Sequence, residues 1–112
     1  MVTANFACTT CPFISEEFVV GYYPPSDCYD VVFQNKHNSN LRIVTLENLT
    51  TYGDVQKFTT EQFYELLSKI SSEVMEDNEV AIDTWRALEE IKPLECPDCH
   101  NFSVKLKISA LI

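Results

Sequence analysis

Two Cys-x-x-Cys pairs stand near opposite ends of this 112-residue chain, Cys8-Thr9-Thr10-Cys11 and Cys96-Pro97-Asp98-Cys99, with 84 residues between them. Joining them would tie the ends of the chain together. Two cysteines separated by two residues curl around one ion, each supplying a thiolate, and two such turns complete the tetrahedron of a structural zinc site. Pro97 favours the turn by fixing φ, and Asp98 supports it through local hydrogen bonding. The usual double-pair signature has about 15–20 intervening residues. Closing the longer loop costs about 1.4 kcal/mol more. That is small beside the roughly 10–16 kcal/mol apparent free energy of a structural zinc site. The expectation is one shared four-thiolate site, with Cys8, Cys11, Cys96 and Cys99 as metal ligands and zinc as the cofactor.

Other cysteine chemistries have to be weighed against it. Disulfides suit secreted chains, but no apolar signal segment follows Met1 and five cysteines leave one over. Cys96-x-x-Cys99-His100 also matches the attachment signature of a c-type haem, with Met75 or His37 as a second axial ligand. That reading leaves the first pair unexplained. A thioredoxin-like pair belongs at a helix N-terminus, where the dipole lowers a thiol pKa, whereas Cys99 leads into an alternating strand. The Cys-Pro-x-Cys turn entering a strand resembles the knuckles of zinc-ribbon proteins, a structural device of about ten residues. Cys28 is the spare thiol and is expected to be a buried structural cysteine.

Length suits a single domain spanning residues 1–112. A hydrophobic content of 46% with only two glycines argues for a packed chain. The formal charge of −9 opposes direct binding to nucleic acid. No run of 18 apolar residues is present, so no membrane span is expected. Together with the missing signal segment this points to an intracellular protein, cytoplasmic or nuclear.

Along the chain, residues 2–14 read as the first knuckle. Glu17–Tyr23, Cys28–Gln34 and Leu41–Leu46 are rich in β-branched and aromatic residues and read as a three-stranded antiparallel meander. Thr59-Thr60-Glu61-Gln62 is a capping box. The stripe Phe63, Leu66, Leu67, Ile70 and Val74 that follows it has helical spacing. Asn78 would cap a second helix burying Ala81, Trp85, Leu88 and Ile91. Beyond Pro93 and the second knuckle, Phe102, Val104, Leu106, Ile108 and Ala110 alternate with Ser103, Lys105, Lys107 and Ser109, as in a strand with one wet face. The predicted fold is α+β: a small antiparallel sheet of about four strands, covered by one or two helices, with the two knuckles brought together.

Function points away from catalysis. With two glycines there is no phosphate-binding loop of the usual form, and four cysteine ligands leave no open position on a metal. Residues 59–91 carry −7 of the net charge, and Glu73, Glu76, Glu79 and Asp83 are candidate contacts for a partner with a basic surface. Tyr22 and Tyr23 are candidate interface anchors. The leading expectation is a non-enzymatic, zinc-binding protein–protein interaction module. The alternatives are an acidic inhibitor that imitates nucleic acid in a basic groove, and a c-type haem protein.

Overall fold

The segment Tyr29–Asn35 buries apolar residues on both faces: Tyr29, Val31 and Phe33 alternate with Val32, and all four are buried. A strand that buries side chains on both faces must be covered on both sides, and the architecture follows from that. The computed structural model describes residues 2–21, 28–84 and 91–111. In chain order the elements are β1 (Val2–Cys8), β2 (Phe18–Gly21), β3 (Tyr29–Asn35), β4 (Leu41–Leu46), α1 (Thr60–Val74), β5 (Glu79–Ile82), β6 (Leu94–Glu95) and β7 (Phe102–Leu111). The strands form two antiparallel sheets, ordered β2-β1-β7-β6 and β4-β3-β5. The fold is α+β, with β3 in the middle layer. Among the described residues no helix is long and apolar enough to cross a membrane.

One face of β3 meets the helix. The expected capping box starts it: the Gln62 N–H donates to Thr59 Oγ1 at 3.2 Å, and the Thr59 N–H donates to Gln62 Oε1 at 2.8 Å. The stripe Phe63, Leu67 and Ile70 then packs on Tyr29, Val31, Phe33 and Leu46. The Phe63 ring sits edge-on to Tyr29 at 5.7 Å between centroids. The other face of β3 meets the four-stranded sheet. Val32 and Ile82 pack there with Ala4, Phe6, Phe18, Val20 and Val104. Asp30 and Gln34, which flank Val32 on this face, are polar and act as latches between the sheets. Asp30 accepts the Val19 N–H at 2.7 Å and the Thr45 hydroxyl at 2.6 Å. Gln34 Nε2 donates to the carbonyls of Glu95 at 2.9 Å and Ser39 at 3.1 Å.

Three expectations are corrected in detail. Only the end of the segment 2–14 is the first knuckle; Val2–Cys8 is a strand, because pairing with β7 supplies its backbone with partners. The meander divides: β2 pairs with β1, while β3 and β4 build the second sheet. Asn78 does not cap a helix. It sits at φ 67, a left-handed turn conformation, whereas an N-cap needs extended backbone. Glu79–Ile82 leaves that turn as β5 and pairs with β3. Trp85 and Leu88 lie outside the described residues.

The placement of Glu79 also departs from expectation. It is only 7% exposed, and its carboxylate takes a two-pronged contact from Arg42, Nη2 to Oε1 at 2.7 Å and Nε to Oε2 at 2.9 Å. The Glu76 N–H adds a third bond at 2.8 Å. Arg42 in turn lies over the Phe33 ring, 4.9 Å from its centroid. The Arg42 contact, aided by the Glu76 N–H and opposed by burial, holds Glu79 below the usual carboxylate range. A depressed carboxyl pKa contributes stability that is present above the unfolded-state value and is lost as pH falls through the folded-state value. Glu79→Gln is therefore expected to cost about 2 kcal/mol in urea unfolding at neutral pH, the scale of charge-assisted hydrogen bonds. The gap from wild type should close below about pH 4. A gap independent of pH would contradict the pairing.

Candidate metal centre

The β1–β7 ladder assembles the centre. Its register runs from Val2↔Leu111 to Cys8↔Val104, so the end of β1 lies beside the start of β7. Cys8 ends β1, and Cys11 follows after two intervening residues. Cys96 leaves β6, and Cys99 precedes β7. The four sulfurs lie within 4.8 Å of one another. Sulfurs of the two knuckles meet closely, Cys8 to Cys99 at 3.6 Å and Cys11 to Cys96 at 3.5 Å. All five cysteines are free. A tetrahedral ion with metal–sulfur bonds of about 2.3 Å places sulfurs about 3.8 Å apart, so the cluster has the dimensions of a four-thiolate metal site.

Both knuckles are built alike. The N–H of the first cysteine donates to the carbonyl five residues on, Cys8 to Phe13 at 3.0 Å and Cys96 to Asn101 at 2.8 Å. Each sulfur then accepts the backbone N–H two residues further along. Thr10 serves Cys8 and Asp98 serves Cys96, both at 3.4 Å. Phe13 serves Cys11, and Asn101 serves Cys99. These donors stabilise thiolate charge before any cation arrives. His100 turns the second knuckle into β7 at φ 62. Its Nδ1 lies 3.5 Å from Glu95 Oε1 at the surface, outside the sulfur cluster.

The site has two unlike sides. Cys96 is fully buried and packs in the second core. The opposite edge, Cys8 and Cys99, is lined by hydroxyls. Ser103 Oγ is 3.0 Å from Cys8 Sγ, and Thr10 Oγ1 is 3.3 Å from Cys8 Sγ and 3.4 Å from Cys99 Sγ. Asn101 Nδ2 donates to Thr10 Oγ1 at 3.3 Å and fixes that hydroxyl. Thiol acidity follows this division. Desolvation pushes Cys8 up, but the hydroxyls of Ser103 and Thr10 and the Thr10 N–H outweigh it and bring it down to about 5. Cys99 is lowered too, first by the Thr10 hydroxyl and then by the Asn101 N–H. Cys11 moves the other way. The Phe13 N–H favours its thiolate, but desolvation and the sulfurs of Cys96, Cys8 and Cys99 carry it up to about 12. Four crowded sulfurs resist shedding all their protons, and a cation removes that resistance.

Reading the sequence alone missed Thr10, Asn101 and Ser103. The alternation in β7 places Ser103 on its wet face. The register between β6 and β7 skips it, however, with Leu94 opposite Val104 and Glu95 opposite Phe102. That irregularity turns Phe102 outward, 73% exposed, and Ser103 in toward Cys8. The hydroxyl residues inside and just after the knuckles were the only signal available.

The other singled-out residues are scattered. Tyr22 and Tyr23 lie outside the described residues. Glu73 is exposed in the last turn of α1 and Glu76 just beyond it, 3.9 Å from Arg42. Glu79 is engaged by Arg42, and Asp83 is partly buried just beyond β5. His37 is exposed, with Nε2 3.1 Å from Asn78 Oδ1. Cys28 is half-buried just before β3 and stands apart from the cluster. For a haem, Cys96 and Cys99 would have to turn out of the cluster and His100 leave Glu95. Comparison with protein-family models, curated proteins and solved structures finds no match.

Partners that orient the ligands of a metal are worth about 10–100-fold in affinity. Ser103→Ala is thus expected to leave the fold intact and weaken metal binding by about tenfold, measured by competition with a chromogenic chelator. Unchanged affinity would mean that the Ser103 contact serves packing alone.

Proposed function

We propose that this chain is a non-enzymatic, zinc-stabilised module that binds another protein. The observation that carries the zinc assignment is the cluster of four sulfurs within 4.8 Å, with a backbone N–H aimed at each. A set made only of thiolates selects soft or borderline cations, and tetrahedral geometry suits zinc. With all four positions taken by protein, such a zinc holds structure and has no site for a substrate or water. This is the physical ground for reading the protein as a scaffold rather than an enzyme.

The interaction role is supported by surface chemistry. Exposed Glu73 and Glu76 remain candidates for a basic partner, while Glu79 is already matched by Arg42. Losing Glu79 from the exposed set also weakens the reading as a nucleic-acid mimic, which needs a continuous row of uncompensated acids.

Native mass spectrometry of wild type and of Cys96→Ser tests the zinc assignment. The expected result is one zinc per wild-type chain and none in the variant. The variant's melting temperature should fall by roughly 10 °C or more, since several kcal/mol of site free energy are lost. A wild-type chain that takes up no zinc from stoichiometric Zn²⁺ would overturn the reading.

A further inference from the structure

Among the described residues the outer edge of β4 has no strand partner, and residues of the two knuckle turns form a wall beside it. In the β3–β4 hairpin the Asn35 N–H donates to the Asn40 carbonyl at 2.9 Å. Hydrogen-bonded and non-bonded pairs alternate along an antiparallel ladder. With Phe33 opposite Arg42 and Val31 opposite Val44, the backbone groups of Arg42 and Val44 point to β3. Those of Leu41, Ile43 and Thr45 point away. Among the described residues no strand pairs with that edge. Proteins blunt such edges with outward charges, prolines or bulges. The only charged residue of β4 is Arg42, and it is folded back onto Glu79.

Beside this edge lies a groove of about 510 Å³. Leu41 and Ile43 line it from β4. Phe13 and Glu16 line it from just beyond the first knuckle, and Pro97 and Asp98 from within the second. Its apolar surface comes from Phe13, Leu41, Ile43 and Pro97, and its charge from Glu16 and Asp98. Arg42 also reaches it but is neutralised by Glu79. Phe13 is bonded into the first knuckle through its carbonyl and N–H, and Asp98 into the second through its N–H. One wall of the groove is therefore built from residues bonded into the two knuckle turns.

We propose that an extended, basic segment of another protein adds to the edge of β4 as an antiparallel or parallel strand. It would seat an aliphatic side chain between Phe13 and Pro97, with flanking Lys or Arg side chains against Glu16 and Asp98. This rests on the reading of the chain as a zinc-stabilised interaction module and names its docking surface and partner chemistry. Unpaired backbone groups call for another backbone, and the acidic rim selects its charge. A second copy of this chain is a poor occupant, because edge-to-edge pairing would oppose Glu16 and Asp98 of two chains that each carry −9.

The test uses the full, zinc-loaded chain and the probe peptide acetyl-Lys-Val-Lys-Leu-Lys-Val-amide, read by amide hydrogen exchange in NMR. At saturation the Leu41, Ile43 and Thr45 amides should exchange at least about tenfold more slowly, while Arg42 and Val44, already bonded to β3, do not change. Ile43→Pro, which removes an outward N–H, should abolish binding. Glu16→Lys, a surface change that keeps the fold, should weaken it about tenfold at low salt. Absence of binding, protection at another edge, or an oligomer of the chain alone overturns the proposal. Zinc is measured in the same samples. A zinc-loaded chain without edge protection overturns the groove and leaves the metal centre standing. A chain that binds no zinc overturns the reading on which the groove rests.

Discussion

The antiparallel ladder between β1 and β7 is the interaction on which the rest depends. It joins the two ends of the chain over seven residues of β1 and so closes the loop that separates the cysteine pairs. Ladder and metal share one entropic cost. Once β1 lies on β7, each knuckle needs only a local turn to aim its sulfurs. Conversely, an ion held by both knuckles locks the end of the ladder. Loop-closure entropy grows slowly with length, so a span of 84 residues is no obstacle when several strands and a cation repay it together.

The four-cysteine cluster is continuous with the second core rather than appended to it. Cys96 is as buried as Phe6 or Val104, and Cys8, Cys11 and Cys99 pack against the same cluster. That core lies between the two sheets, on the face of β3 that bears Val32. Asp30 and Gln34 set the spacing of the layers at either end, and Gln34 reaches the Glu95 carbonyl next to Cys96. A hydrogen bond therefore ties the middle layer to the residue that precedes Cys96.

Much of this was legible in the sequence because local pattern and tertiary demand agree. The knuckles, the capping box at Thr59, the helical stripe and the two faces of β3 and β4 all follow from spacing. What was not legible depends on distant pairing. Val2–Cys8 lacks a strong strand pattern and becomes a strand because β7 offers it an edge. Glu79–Ile82 continues the helical phase of α1, yet the left-handed turn at Asn78 and the grip of Arg42 on Glu79 place it in the sheet. The inward turn of Ser103 comes from one skipped position in a ladder, and no single-strand period encodes that.

Charge links the centre to the groove beside it. Four thiolates outweigh a divalent cation, so a loaded centre is a net anion, and its own charge belongs in any account of its surroundings. Within the site that charge is met by the N–H groups of Thr10, Phe13, Asp98 and Asn101 and the hydroxyls of Thr10 and Ser103. No Lys or Arg lies among these donors. Outside the site, Glu16 and Asp98 add to the same sign along the groove, and the Arg42 guanidinium is held by Glu79. A cation in the centre would therefore act on the β4 edge in two ways. It would hold the knuckle turns that line the groove, and its four thiolates would deepen the negative potential along it. The basic strand proposed above would gain from both, so its affinity would depend on the occupancy of the metal site.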